Sequence, residues 1–301
     1  MNDKDIHNFE AYWDLLSEDE KAGFIRTAGD LGPDSAIQAA LKGIDSYHSL
    51  VRTQARESLK QIQAGLLARL ETPADHDRQC TAMKESAQVC SRIFSRIRPG
   101  LSFEDQDLLL KTLVGFKGKG PYFAFKALCM KRIPLASVEK IIPGLPDPQR
   151  LALIREYLKT TPELRLKFGA VFRQTARSIQ DKEAAVHFYA GLFDAKEDMD
   201  PFLYNLAPDL RDPDRISSGF VRSGSPETRA RGLKALAMTM TKISPGLLKG
   251  MLETETDPMV RQTLYQIIEN SALGTYPELF HPILSLLEKT APKKPFTPSK
   301  P

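Results

Sequence analysis

The sequence predicts an all-α protein built from many short helices, and three features support this prediction. Apolar residues recur at steps of three or four along most of the 301 residues, which places them on one face of a helix. Alternation with a period of two never persists, and no Asn-Gly or Asp-Gly pair marks a hairpin turn. Short segments containing Pro and Gly separate the periodic stretches, and counting these stretches predicts about sixteen helices.

The clearest helix is predicted for residues 50–70. Its apolar positions are Val51, Ala55, Leu59, Ile62, Leu66 and Leu70. Basic and polar side chains fall on the opposite face, so the predicted helix is amphipathic. Residues 151–158, 164–172 and 186–193 contain apolar stripes with the same spacing, and their aromatic residues are predicted to lie in the core.

Helix starts are predicted near prolines that accompany a glycine or a capping residue. Proline fits the first helical turn because its missing N–H would have no partner there, and a preceding Asp, Ser or Thr accepts from the free amides. The dipeptides that predict such boundaries are Gly32-Pro33, Thr72-Pro73, Pro99-Gly100, Gly120-Pro121, Pro143-Gly144, Asp147-Pro148, Thr161-Pro162 and Asp212-Pro213.

An internal repeat links two segments near the C-terminal end of the sequence. Residues 225–236 align with residues 257–268 at a period of 32. Each copy opens with a capping residue, carries an arginine (Arg229 or Arg261) in its first turns and continues with an apolar stripe. Because one antiparallel helix pair cannot bury its apolar face alone, stacked neighbouring copies must complete the core.

The segment Asp257-Pro258-Met259-Val260-Arg261 resembles the start of the second helix in HEAT repeats, where Asp-x-x-Val-Arg precedes an apolar stripe. The earlier copy has Thr228 in place of Val, and Val51-Arg52 keeps the Val-Arg pair without the capping residue. The resemblance is specific over residues 225–290 and diffuse elsewhere. It implies a right-handed superhelical solenoid of HEAT-like, armadillo-type antiparallel helix pairs that binds other macromolecules.

One HEAT-like helical-repeat domain is predicted over residues 1–290, with an irregular region at about 99–143. Residues 291–301 contain four prolines, three lysines and no acidic residue. That composition predicts a flexible, partly polyproline-II tail. The tail is either a natural terminus or a linker to a further domain, and we favour the linker because solenoids are often appended to other modules.

The composition indicates a protein of a reducing, cytoplasmic compartment. Hydrophobic residues make up 42% of the chain, and its net charge of +4 is too small to indicate nucleic acid or an anionic membrane by itself. Three cysteines are too few for a disulfide framework, and they are expected to be small buried apolar residues. No apolar run reaches the roughly 18 residues of a membrane span, and the N-terminus has no secretory pattern.

The sequence contains no catalytic signature, so we expect no enzymatic activity, no cofactor and no metal. The five histidines are far apart, and HExxH, GxSxG and Walker motifs do not occur. Asp75-His76-Asp77 is interpreted as an acidic first turn of a helix, with metal binding as the alternative. Residues 115–120 contain three glycines and two lysines, and an interhelical turn is favoured over a phosphate-binding loop because no strand precedes them.

Residues 84–132 contain the candidate binding surface. Ten basic residues stand there against four acidic ones, and Arg92 and Arg96 lie one helical turn apart. Such a stripe can neutralise phosphates, or it can be an ordinary solvated helix face. An exposed aromatic residue at positions 122–125 would anchor a partner. The candidate binding residues are Arg92, Arg96, Arg98, Lys117, Lys119, Phe123 and Lys126.

The leading functional prediction is a non-enzymatic protein-interaction scaffold or regulatory helical module, with another protein as its partner. The alternative is a module that binds nucleic acid or another polyanion through residues 84–132. A third hypothesis is an enzyme similar to the alkylpurine DNA glycosylases, which are built from HEAT-like repeats and use tryptophans and a catalytic Asp. The one tryptophan, Trp13, lies in a predicted amphipathic helix with Tyr12, Leu15 and Leu16 and is interpreted as sealing the first repeat, so no catalytic residue is nominated.

Overall fold

The structure is a computed structural model that describes residues 12–31, 33–71, 76–116, 118–195, 213–239 and 245–272. These residues form fourteen α-helices, a few short 3-10 turns and no strand, which confirms the all-α prediction. The helices are α1 (Glu18–Thr27), α2 (Pro33–Ile44), α3 (Ser49–Glu71), α4 (His76–Arg96), α5 (Phe103–Gly115), α6 (Lys119–Cys129), α7 (Leu135–Ile141), α8 (Asp147–Leu158), α9 (Pro162–Ser178), α10 (Lys182–Asp194), α11 (Pro213–Val221), α12 (Pro226–Thr239), α13 (Pro245–Thr254) and α14 (Pro258–Ala272). The predicted tail, residues 291–301, lies outside the described residues.

The chain divides into two compact units, residues 1–175 and 176–301, and the boundary falls inside α9. In the first unit, each of the helices α1 to α4 packs on the next helix and on the one after it. In the second unit, α10 packs on α11 and α12, and α12 packs on α14. In the first unit, α8 also packs on α5 and α6, so most of these packings join helices that are near one another in the sequence.

Several helices start at the predicted prolines. The first residues of α2, α9 and α11 are Pro33, Pro162 and Pro213. In the repeat copies, Ser225 Oγ accepts from the N–H of the residue three positions later, and Asp257 Oδ1 accepts from the two amides that follow Pro258. These hydrogen bonds satisfy amides that have no intrahelical partner. Thr72-Pro73 lies outside the described residues.

The core of the first unit contains an aromatic cluster beneath α6. Tyr157 and Phe172 are stacked with ring centroids 4.4 Å apart, and Phe125 lies 5.8 Å from Phe172 and 6.2 Å from Phe168. The buried Tyr157 hydroxyl donates to the Arg165 carbonyl oxygen at 2.8 Å, so its polar group is satisfied. The prediction that the aromatic residues of 164–172 lie in the core is confirmed for both phenylalanines.

A described core cluster of the second unit combines residues of both predicted repeat copies with residues of α13. Leu233 of the first copy and Ile268 of the second are buried in it, and Tyr265, the aligned partner of Leu233, packs against the same cluster. The other buried members are Ala230, Leu248, Leu252, Val260, Leu264 and Ile267. The apolar stripes of the two copies therefore meet in one core.

Three arginines bind the turn before their own helix in the same way. In each case Nη1 donates to the carbonyl oxygen six residues earlier, and Arg52 and Arg229 also reach the carbonyl five residues earlier. The N···O distances are 3.1 and 3.2 Å for Arg52, 2.9 and 3.1 Å for Arg229, and 3.5 Å for Arg261. The arginine of the repeat motif thus stabilises the interhelical turn, and Val51 and Val260 beside it are buried.

The segment around Trp13 differs from its prediction. Trp13 is buried as expected, but Trp13–Leu15 is a 3-10 turn, and Tyr12 and Leu15 are exposed. The predicted amphipathic helix is therefore wrong at these positions, because the backbone becomes extended at Leu16 and the turn ends. Among the helices described, none is both long and apolar enough to span a bilayer.

Candidate binding surface on helices α4 and α6

Glycines fix α6 closely against α5. Gly118, at the start of α6, has a φ of +80°, a conformation that favours glycine. A Cβ on Gly120 would overlap the Leu113 carbonyl oxygen and lie 2.8 Å from Phe116 Cβ. Gly120 therefore serves the close packing of α6 on α5, and Gly118 supplies the positive φ of the turn before α6. A Cβ on Gly115 would instead meet the side chain of Gln63 on α3. The described residues between α5 and α6 agree with the interpretation as an interhelical turn. Lys117 lies outside the described residues.

One face of α6 combines aromatic and basic side chains. Lys119, Tyr122, Phe123 and Lys126 follow one another at helical spacing and share this face, while Phe125 points into the core. Tyr122 is 44% exposed, Phe123 and Lys126 are half-buried, and Lys119 is exposed.

The aromatic rings form a continuous row from α6 to α4. The Phe123 ring lies 5.4 Å from the Tyr122 ring and 5.5 Å from the ring of Phe94 on α4. These separations are within the range of favourable edge and tilted aromatic contacts.

Three cations lie over this row. Lys126 Nζ is 5.4 Å from the Phe94 ring centroid and 5.8 Å from that of Tyr122, and Lys119 Nζ is 5.9 Å from the Tyr122 centroid. The Arg132 guanidinium carbon is 4.3 Å from the Phe94 centroid. Rings attract cations at these distances, so the charges are held beside the aromatic row. We call the set Phe94, Lys119, Tyr122, Phe123, Lys126 and Arg132 the aromatic–basic surface.

Arg132 is positioned by the end of α6. The helix ends with Lys131 at a φ of 56°, and the N–H groups of Lys131 and Arg132 donate back to Leu128 O and Ala127 O at 3.0 Å each. This closure turns Arg132 towards α4, where Nη1 donates to the Phe94 carbonyl oxygen at 2.7 Å. The carbonyl oxygens in the last turn of a helix have no intrahelical partner, so Arg132 gives the Phe94 carbonyl of α4 a hydrogen-bond donor. The same side chain places its charge over the Phe94 ring.

The acidic residues of the same region are mostly paired with other cations. Glu85 binds Arg69 at 2.7 Å and Asp107 binds Lys111 at 2.7 Å. The buried Asp105 accepts from Arg56 at 2.6 Å and is therefore also neutralised. Within the described part of the chain, neither Lys119, Lys126 nor Arg132 forms an ion pair, so the aromatic–basic surface carries an uncompensated positive charge.

The structure divides the predicted basic residues into two groups. Arg96 and Arg98 bind Asp45 at 3.4 and 2.9 Å, at the α2–α3 turn. Arg92, one helical turn before Arg96, is half-buried on the same flank of α4. The remaining described candidates, Lys119, Phe123 and Lys126, lie on α6 in the aromatic–basic surface.

Three members of the surface are not among the candidate residues that the sequence predicts. Tyr122 belongs to the aromatic residues at positions 122–125, and Arg132 to the basic residues of 84–132, but the sequence does not single out either of them. Phe94 belongs to neither set, and the sequence does not mark it as a surface residue. A helical wheel of α4 contains the missing signal: its buried positions, such as Val89 and Ile93, leave Phe94 at the edge of the apolar face. The contact of Phe94 with α6 depends on tertiary packing.

A concave region lies beside Trp13. It has a volume of about 460 Å³ and is lined by Trp13, Lys21, Lys42, Asp45 and Arg96, among others. Its charges are of both signs, and several are already engaged: Lys21 binds Glu18 at 3.0 Å, and Asp45 binds Arg96. The lining therefore presents no net charge of one sign to a ligand.

The described residues contain no group of three or more His, Cys, Asp or Glu side chains that could hold a metal ion. The side chains of Asp75-His76-Asp77 lie outside this description. No disulfide joins the cysteines, and burial raises the pKa of the Cys90 thiol to about 12. Cys90 is therefore a small buried apolar residue, as predicted, whereas Cys80 and Cys129 are half-buried.

No protein-family model matches this chain, and neither the curated proteins nor the solved structures contain a significant match.

Proposed function

We propose that this chain is a non-enzymatic protein-interaction module, a scaffold or the regulatory helical part of a larger protein, and that it binds its partner through the aromatic–basic surface. The observation that carries the proposal is the half-exposed aromatic row beside three cations that have no acidic partner among the described residues. Aromatic residues and arginine dominate the residues that supply most binding energy in protein interfaces. A rigid aromatic row also loses little conformational entropy on binding.

We further propose that each unit is a stack of HEAT-like antiparallel helix pairs of the right-handed superhelical kind. Two observations support this assignment. Helices pack on their next and next-but-one neighbours, and the motif arginines Arg52, Arg229 and Arg261 make the same hydrogen bond to the preceding turn. Stacked repeats of this kind offer extended surfaces to partners.

Affinity capture with the tagged full chain from a lysate of its source cells, with and without nuclease, tests the interaction proposal. We expect that the wild-type chain captures a partner protein stoichiometrically and that nuclease treatment does not reduce this capture. The Tyr122→Ala/Lys119→Ala variant should no longer capture the partner, whereas the Leu166→Ala variant should still capture it. Leu166 is the matched control because its side chain is 85% exposed on α9 of the same unit. Capture that is unchanged by the double substitution would refute the proposed surface.

Binding of nucleic acid or another polyanion is the second candidate function. The absence of ion pairs at Lys119, Lys126 and Arg132 within the described residues favours it, since unpaired cations can displace the counterions of phosphates. In the capture experiment, loss of all captured material after nuclease treatment would support this function over the protein-interaction function.

A further inference from the structure

We propose that the partner of the aromatic–basic surface is an acidic, extended peptide segment with an apolar side chain between its carboxylates. This inference rests on the proposed protein-interaction function and specifies the chemistry of the partner.

The charge of the surface requires an anionic partner. Lys119, Lys126 and Arg132 lie within one surface without a carboxylate bound to them in the described chain, while Glu85, Asp105 and Asp107 are held by other cations. A partner without negative charge would leave these cations desolvated and unpaired, which is costly. Carboxylates on the partner would instead form new ion pairs with the two lysines.

The aromatic row requires an apolar group beside those charges. Tyr122 is the most exposed ring, and it lies between Lys119 and Lys126 along α6. An apolar side chain that covers Tyr122 removes water from the row and from both flanking lysines. Ion pairs strengthen when water is excluded around them, so the apolar and charged contacts support each other.

The spacing of the cations fits an extended peptide. Lys119 and Lys126 are seven residues apart on α6, which corresponds to about 10 Å along the helix axis. An extended chain covers about 3.3 Å per residue and presents every second side chain to one face, so carboxylates four positions apart share a face and span about 13 Å, within reach of the two long lysine side chains. The side chain midway between these carboxylates points to the same face and lies over Tyr122.

The number of available cations favours a peptide over nucleic acid. Proteins that bind nucleic acid tightly neutralise many phosphates, on the order of six to ten. The aromatic–basic surface supplies three cations, one of which already donates to the Phe94 carbonyl oxygen. Arg96 and Arg98, which would extend a phosphate track, are bound to Asp45 on the other flank of α4. Two or three carboxylates are the better match.

The proposal can be tested with a displayed library of random 12-residue peptides. Peptides are selected for binding to the full chain. Peptides enriched on the wild type should carry an excess of Asp and Glu, with an apolar residue between two acids. Their affinity, measured with synthetic peptides, should fall about tenfold or more for Lys119→Glu/Lys126→Glu. The control Lys60→Glu/Lys140→Glu makes the same charge change at exposed lysines on α3 and α7. Because exposed charges away from the binding surface contribute little, the peptide affinity of this control should stay within twofold of the wild type.

Four results would overturn the inference. Enriched peptides without an acidic excess would show that the surface has another partner. Acidic peptides whose affinity does not depend on Lys119 and Lys126 would show that such peptides bind elsewhere on the protein. Both of these results leave a protein-interaction function intact. A single-stranded DNA 20-mer that binds more tightly than every selected peptide, and loses affinity with the same double substitution, would assign the surface to nucleic acid. Failure to enrich any peptide, together with lysate capture of no protein, would overturn both proposals.

Discussion

Arg229 and Glu255 form a bidentate ion pair in the second unit. Nε and Nη2 of Arg229 donate to the two carboxylate oxygens of Glu255 at 2.8 and 2.9 Å, and both side chains are largely buried, at 19% and 9% exposure. Glu255 also accepts from the N–H groups of Thr256 and Asp257 at 3.1 and 3.0 Å. The pair therefore joins the start of one repeat copy to the turn before the next.

Removal of Arg229 should destabilise the protein more than removal of Arg261, the equivalent arginine of the second repeat copy. Arg229→Ala leaves the Glu255 carboxylate buried without its cation, so we expect the thermal midpoint to fall by roughly 4 °C. Arg261→Ala is the control, because the hydrogen bond described for the Arg261 side chain within the described residues is a long one to a carbonyl oxygen, at 3.5 Å. This substitution should lower the midpoint by about 1 °C or less. Calorimetry at pH 7 measures both, and equal midpoints for the two variants would contradict the prediction.

The same pair predicts a pH dependence. The hydrogen bonds from Arg229 hold the pKa of Glu255 below its ordinary value of 4.5, so the folded state binds this proton less readily than the unfolded state. The stabilisation is present above the unfolded pKa and is lost as pH falls through the folded pKa. The difference in midpoint between wild type and Arg229→Ala should therefore be constant from pH 7 to pH 5 and shrink below pH 4.5.

Cys90 should react more slowly than the other two cysteines. Burial, the main cause, raises its pKa to about 12, so almost no thiolate forms at pH 8 and reagents have no access to the sulfur. Iodoacetamide labelling of the native protein, followed by mass spectrometry of the peptides, should modify Cys90 at least roughly tenfold more slowly than Cys80. Equal rates for the two residues would mean that α4 opens readily in solution.

At the scale of elements, the approach of α6 to α5 decides where the aromatic–basic surface lies. Gly120→Ala places a methyl group against the Leu113 carbonyl and Phe116, so we expect a loss of roughly 2 to 3 kcal/mol in the free energy of unfolding. Gly65→Ala is the matched control, because a Cβ there meets no atom within 4 Å and Ala is the better helix former by up to about 1 kcal/mol. Urea unfolding followed by far-UV circular dichroism distinguishes the two, and a stabilised Gly120→Ala would contradict the described packing.

The ends of α4 and α6 show how elements bring the surface together. Phe94 lies in the last turn of α4, and Arg132 reaches it because α6 closes at Lys131 in a left-handed conformation. The hydrogen bond from Arg132 to the Phe94 carbonyl then links the two helix ends. The two helix ends therefore add Phe94 and Arg132 to the face of α6 that carries the other four members of the aromatic–basic surface.

At the scale of the whole molecule, the net charge of +4 predicts weak non-specific binding to DNA. The aromatic–basic surface has three cations, so a plot of the logarithm of DNA affinity against the logarithm of salt concentration should fall with a slope of about 3. The dissociation constant for random duplex DNA should exceed about 10 µM at physiological salt. Fluorescence anisotropy across a salt series measures both quantities. Submicromolar binding with a slope of about 6 or more would favour the polyanion function instead.

Much of the secondary structure could be predicted because its causes are local. The apolar spacing in residues 50–70, the prolines that begin α2 and α9, and the caps at Ser225 and Asp257 all act within one or two helical turns. The repeat arginines were also visible in the sequence, although their hydrogen bonds to the preceding turn were not. The prediction failed around Trp13, where the chain leaves the helical conformation at Leu16.

The sequence by itself determined the all-α class, the two aligned copies and the region in which the aromatic–basic surface lies. Only the tertiary structure decided which basic residues remain without acidic partners, because the relevant neighbours are distant in the chain: Arg98 meets Asp45 across 53 positions, and Arg132 meets Phe94 across 38. Helical periodicity specifies the face on which a side chain lies. Charge pairing and aromatic contacts depend instead on which other helix packs against that face, and only the tertiary structure determines which helix this is.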